Sequence, residues 1–115
     1  MAVAGTYNTS LDPGVDYVFF ATFTDDGGGA IDLSGLTFTF TLTRNRDNSE
    51  VWNVPDSGFS RPATGQISFT KSAADVRSLQ SGDYSLSLTV DGTADIDGQT
   101  TTFSGDEWLN GTMQR

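Results

Sequence analysis

Residues 36–43 read Leu36-Thr37-Phe38-Thr39-Phe40-Thr41-Leu42-Thr43, an unbroken alternation of apolar and hydroxyl side chains. Successive side chains of a β-strand point to opposite faces, so a period of two is a strand signature. Leu36, Phe38, Phe40 and Leu42 are expected to face a core, with the threonines on the other side. No helix gathers that pattern on one stripe. The same alternation returns at Tyr84-Ser-Leu86-Ser-Leu88-Thr-Val90 and, shorter, at Gln66-Ile-Ser-Phe69-Thr. The chain reads as all-β.

Working outward, Thr6–Leu11 is expected as a first strand, closed by the turn Asp12-Pro13-Gly14. Val15–Thr24 is the second, with Tyr17, Phe19, Ala21 and Phe23 on one face and Val18, Phe20, Thr22 and Thr24 on the other. Asp25-Asp26-Gly27-Gly28-Gly29 is a hairpin-type loop, because glycine supplies the positive φ that such turns need. Val51–Val54 is a short edge strand stopped by Pro55, between a polar loop over 45–50 and a turn-rich stretch over 56–64. Ser72-Ala-Ala-Asp75 has capping-box spacing and opens a short helix over 73–79 that Gly82 ends. Asp91–Gly98 reads as an acidic turn, and Thr100–Phe103 begins a last strand leading to Trp108. About seven strands and one short helix, in a single domain over 1–115, give a two-sheet antiparallel sandwich.

The composition sets limits. At 115 residues, 36% hydrophobic and with eight phenylalanines, the chain can build a core without staples. It has no cysteine, which removes disulfides and thiolate metal sites, and no histidine, the usual general base and commonest metal ligand. Fifteen acidic against six basic residues leave a net charge of −9, which argues against nucleic acid and anionic membrane surfaces as partners. Met1-Ala-Val-Ala-Gly-Thr6 lacks the charged and apolar parts of a secretory leader, so synthesis in a host cytoplasm without export is expected.

Four stretches in a fixed order carry a resemblance: Ile31-Asp32-Leu33-Ser34-Gly35 before a strand, Gly65-Gln-Ile-Ser before Lys71, Ser72-Ala-Ala-Asp75 to Leu79, and Gly82-Asp83-Tyr84 opening a strand. Together they resemble the immunoglobulin-like domain at the N-terminus of phage upper-baseplate proteins, and the small standalone phage virion proteins that share it. The likeness runs over about residues 7–109, including Gly105-Asp-Glu-Trp108. The triple glycine at 27–29 and the polar excursion from Asn45 to Arg61 depart from it. The resemblance implies an immunoglobulin-like fold, no catalytic residues and no cofactor. It implies a virion structural role in the tail, baseplate or fibre attachment, or as a decoration on the capsid exterior. Partners would be other virion proteins, met as a symmetric homo-oligomer or on a symmetric partner at the outer surface of the particle.

The stretch Asp91–Gly98, with Asp106 and Glu107, offers oxygens to Ca²⁺ but fails the EF-hand pattern, since Thr100 stands where the glycine belongs. Solvated turn aspartates are the plainer reading. A glycosidase-like carboxylate pair would need burial to raise one pKa, and the acidic residues sit in turns. Trp52 and Trp108 allow a sugar-stacking platform, hence a carbohydrate-binding alternative, or else a core tryptophan and an interface anchor. Asn8-Thr-Ser10 and Asn110-Gly-Thr112 match the glycosylation sequon by chance in an unexported chain. The threonines of 37–43 suit a solvated sheet face better than an ice-binding one. Val18 and Phe20 either pack under the N-terminal segment or form an exposed apolar patch that meets a partner. Val18, Phe20, Trp52 and Trp108 are therefore the candidate interface residues.

Overall fold

A computed structural model describes the backbone of residues 5–115 and the side chains from Ser10 onward. Seven strands appear in chain order: β1 (Gly5–Ser10), β2 (Tyr17–Thr22), β3 (Leu36–Arg44), β4 (Ser49–Val54), β5 (Gln66–Lys71), β6 (Asp83–Ile96) and β7 (Gln99–Gln114). A 3-10 turn (Asp56–Gly58) follows β4, and one short helix, α1 (Ala73–Arg77), follows β5. The strands form a five-stranded sheet in the order β1-β7-β6-β3-β4 and a two-stranded sheet, β2-β5. The fold is an all-β sandwich. All its named pairs are antiparallel save one, since β1 runs parallel to β7, from Gly5 beside Leu109 to Ser10 beside Gln114.

The alternation that marks β3 is realised residue by residue. Leu36, Phe38, Phe40 and Leu42 are all buried, while the threonines between them face outward. Within the two-stranded sheet Phe19 of β2 and Phe69 of β5 stack at 5.3 Å, and across the sandwich Phe40 of β3 meets Phe69 edge-on at 4.8 Å. This aromatic knot joins the two sheets, in the offset and edge geometries that ring quadrupoles favour. The core takes residues from both sheets, from α1 and from the β6–β7 hairpin, and no polar or charged residue is buried among the described residues.

The link from β5 to β6 keeps the expected cap, but its helix stops at Arg77, short of the 73–79 expected, so Leu79 and Gly82 lie beyond it. The Ser72 hydroxyl accepts from the Asp75 amide at 3.2 Å, the N-cap its spacing predicts. Val76 and Leu79 reach the core from this connection. Gly82 takes φ 146° and releases the chain into β6, where Tyr84, fully buried, donates its hydroxyl to the Gln80 carbonyl at 2.6 Å. A tyrosine at the start of a strand, bonded back to backbone a few residues upstream, is the tyrosine corner of immunoglobulin-like sandwiches.

The acidic stretch is a correction. Residues 91–96 are not a turn but the second half of β6, with Ala94 and Ile96 buried beneath an outward-facing Asp91, Thr93 and Asp95. Only Asp97 (φ 54°) and Gly98 (φ 79°) turn, in a two-residue hairpin between Ile96 and Gln99. Two positive φ values in sequence are those of a type I′ turn, for which Asp-Gly is a preferred pair. The arm crosses the segment before β3 at a glycine pair: Thr93 donates to the Gly35 carbonyl at 3.2 Å, and a Cβ on Gly92 would stand 2.2 Å from that oxygen. β7 carries two bulges against β6, at Trp108 and at Gly105 (φ 68°), which explains why its alternation fades after Phe103. The polar excursion over 45–61 is held down at its far end. The Arg61 guanidinium donates to the Leu33 and Leu36 carbonyls and to Asp56, and Asp56 accepts from the Phe38 amide at 3.0 Å.

Candidate docking surfaces

The expectation that Val18 and Phe20 pack under the N-terminal segment falls on side chains outside the described residues. Tyr17 and Phe19 turn inward, so Val18 and Phe20 point out, with 57% and 51% of their surface exposed, and Val15 beside them is 54% exposed. Across the ladder, Val18 lies opposite Thr70, Phe20 opposite Ser68, and Thr22 opposite Gln66. All six outward residues of the two strands are uncharged, on a chain of net charge −9. The sheet's outer face is thus an apolar pair within an uncharged frame.

Trp52 and Trp108 do not line a surface. Their side chains are 6% and 4% exposed, respectively. Trp52 packs at 6.1 Å from Tyr17 with the Lys71 ammonium 5.5 Å above its ring, and Trp108 sits at 4.9 Å from both Phe23 and Phe103. Trp52 and Trp108, both expected at an interface, belong to the core instead, Trp52 because it pairs with the inward-facing Leu42 of β3. The physical reason at Trp108 is the bulge there, which turns that indole inward on a strand whose neighbours face out. A stacking platform needs exposed, coplanar rings, and these two supply none.

The outer face of the five-stranded sheet is a polar groove of about 440 Å³ lined by Thr41, Thr43, Ser87, Glu107, Asn110 and neighbours. Its carboxylate is fully engaged: Ser87 donates to one Glu107 oxygen and Asn110 to the other, both at 2.8 Å. Those two donors hold Glu107 below the usual carboxylate range. The acidic hairpin is spread along a strand rather than folded round a centre, so Asp91, Asp95 and Asp97 do not converge. Among the described residues no group of three or more acidic side chains is placed to hold a metal ion. Likewise, no helix among them is long and apolar enough to cross a membrane.

One polar constellation was absent from the sequence reading. At the end of the sandwich where β3 finishes, Arg44 and Arg46 both donate to the Gln80 side-chain oxygen, at 2.9 and 2.8 Å. Arg44 is also paired with Asp47 at 2.7 Å, and that bond holds the Asp47 carboxyl well below its ordinary value. A cavity of about 290 Å³ lies beside them, lined also by Asn45, Ser81, Gly82 and Asp83. The only sequence signal was Arg-Asn-Arg in a loop, and nothing in the chain ties it to Gln80, 34 residues on. The tyrosine corner makes that tie, because Tyr84 fixes the Gln80 backbone beside both arginines.

No family model matches this chain, and no curated protein matches it.

Proposed function

We propose that this chain is a non-enzymatic assembly module of a bacteriophage particle, an immunoglobulin-like sandwich that binds neighbouring virion proteins of the tail, baseplate or fibre attachment. The observation that carries the docking is the exposed Val18–Phe20 pair on an uncharged sheet face. Its phage setting is supported by the ordered motifs, which lie at structural joints: Ile31–Gly35 leads into β3, Gly65 leads into β5, Ser72 caps α1, and Gly82-Asp83-Tyr84 forms the corner. The net charge of −9 favours an outer surface, away from packaged DNA. The glycan-binding alternative loses both of its tryptophans to the core.

The test has two arms. Gold-labelled antibody against the chain, applied to particles purified from cells that express it, should decorate one place on the virion. Decoration of tails supports the adaptor placement and decoration of heads replaces it with the capsid exterior. Phe20→Ser should leave the fold intact and strip the protein from the particle. A chain that never joins particles overturns the proposal.

A further inference from the structure

The exposed Val18–Phe20 pair stands on a strand whose backbone is half unused. The ladder of β2 against β5 continues one step past Thr22, where the Phe23 amide donates to the Gly65 carbonyl at 2.8 Å. Hydrogen-bonded and non-hydrogen-bonded pairs alternate in an antiparallel ladder, so Tyr17, Phe19 and Ala21 address β5 while Val18, Phe20 and Thr22 address the opposite side. The partner strand gives the same parity: Ser68, opposite Phe20, exchanges both of its backbone bonds with Ser60, at 2.7 and 2.9 Å, on the far side of β5. Among the described residues no strand lies beyond β2, since the small sheet holds only β2 and β5. The amides and carbonyls of Val18, Phe20 and Thr22 therefore form an open edge, on the same residues that carry the outward apolar pair.

Open edges are pairing templates, and proteins blunt them with charge, proline, bulges or cover. The other edge of this sheet is treated so: Ser60 covers Ser68, Arg61-Pro62 follows, and Lys71 ends β5. At the edge of the large sheet, β4 carries Glu50 and is stopped by Pro55. β2 has none of these devices, because Tyr17–Thr22 is uncharged, free of proline and in unbroken register. We infer that the β2 edge takes up, by strand addition, an extended segment of a neighbouring virion protein that is apolar at alternate positions and neutral or basic at its ends. A series of main-chain groups is matched only by another extended main chain, while Val18 and Phe20 select the apolar side chains beside them. Charge decides between a different chain and a second copy. Asp16 and Asp25 flank the edge and accept from backbone amides, of Ala73 and of Gly27 and Gly29, which neutralise neither. A second β2 would bring another net −9, with the same two aspartates, to one strand spacing of about 4.8 Å. The inference rests on the docking proposed above and adds how the partner is held.

Amide hydrogen exchange reads the edge directly, with particles purified from cells that express the chain as the probe. In the free chain the Val18, Phe20 and Thr22 amides should exchange fast, and those of Phe19 and Ala21 slowly. After exchange on particles and dissociation into a quenching solvent, the first three should be slowed roughly a hundredfold or more. Val18→Pro deletes an outward amide that the β2–β5 ladder does not use, and should weaken particle binding about tenfold or more at a Tm near wild type. Val18→Thr keeps that amide and should bind close to wild type. Bound chain whose three amides still exchange fast, or equal binding by Val18→Pro and Val18→Thr, overturns strand addition and leaves docking through the Phe20 face standing. A chain that never joins particles overturns both. A purified chain that dimerises alone, and ceases to in Val18→Pro, makes a second copy the occupant and overturns the inference.

Discussion

Tyr84→Phe removes one oxygen from the interior and nothing else, which makes it the sharpest probe of this sandwich. The ring is fully buried, and its hydroxyl donates to the Gln80 carbonyl at 2.6 Å in a partly buried setting. Phenylalanine keeps the packing but leaves that carbonyl without its donor. A net hydrogen bond contributes about 0.5–1.5 kcal/mol, and an acceptor left partly desolvated raises the loss, so about 1–2 kcal/mol is expected. For a chain of this length, at roughly 2.1 cal/mol/K of unfolding entropy per residue, that corresponds to about 4–8 °C in Tm. Thermal melts followed together by far-ultraviolet circular dichroism and tryptophan emission give the measurement, since coincident curves are needed to read one transition. A Tm within a degree of wild type would show that water replaces the hydroxyl and that the corner does not hold the β5–β6 connection.

Four further outcomes are expected. Ser72→Ala should cost about 1 kcal/mol through its lost cap, and Leu79→Ala about 2–5 kcal/mol through its cavity, both read from denaturant melts. Gly92→Ala should cost about 2 kcal/mol or more, because φ 116° is strained for alanine and its Cβ would collide with the Gly35 oxygen; Gly98→Ala, with open space round its Cβ, should cost less in the same melts. Iodide should leave most tryptophan emission unquenched, since both indoles are buried. Glu107→Gln should narrow its stability gap to wild type on acidification: a carboxylate whose folded pKa lies below its usual 4.5 contributes fully above that value and loses its contribution as pH falls through the folded pKa. Paired Tm measurements at pH 7 and pH 3 check the sign.

Much of this fold was legible because local and global preferences agree. Phe38, Phe40, Leu86 and Leu88 alternate without interruption, and their burial matches the pattern residue for residue. Ser72 and Gly82 announce the ends of their connection by chemistry that depends only on near neighbours. The extension of β6 was missed because its inward residues, Gly92 and Ala94, are too small to read as a strand face, while the aspartates between them read as a turn. The Asp97-Gly98 pair does mark a two-residue hairpin, and Gly92-Thr-Ala94-Asp-Ile96 does alternate; only a tertiary reason for small residues, the crossing at Gly35, completes the reading. The burial of Trp108 could not be read at all, since it follows from a bulge whose register is set by β6 and not by β7's own sequence.

The candidate surfaces divide along the same line. Val18 and Phe20 were visible from the chain because a strand that is apolar on both faces has more apolar side chains than one core can take. With Tyr17 and Phe19 turned inward, the surplus is outside. Arg44 and Arg46 were invisible, because their significance depends on Gln80 standing between them and on Asp47 being already taken. Neither fact has a local signature. It is the tyrosine corner that brings Gln80 there, so the hydrogen bond that fastens the β5–β6 connection also places the Gln80 side chain between Arg44 and Arg46.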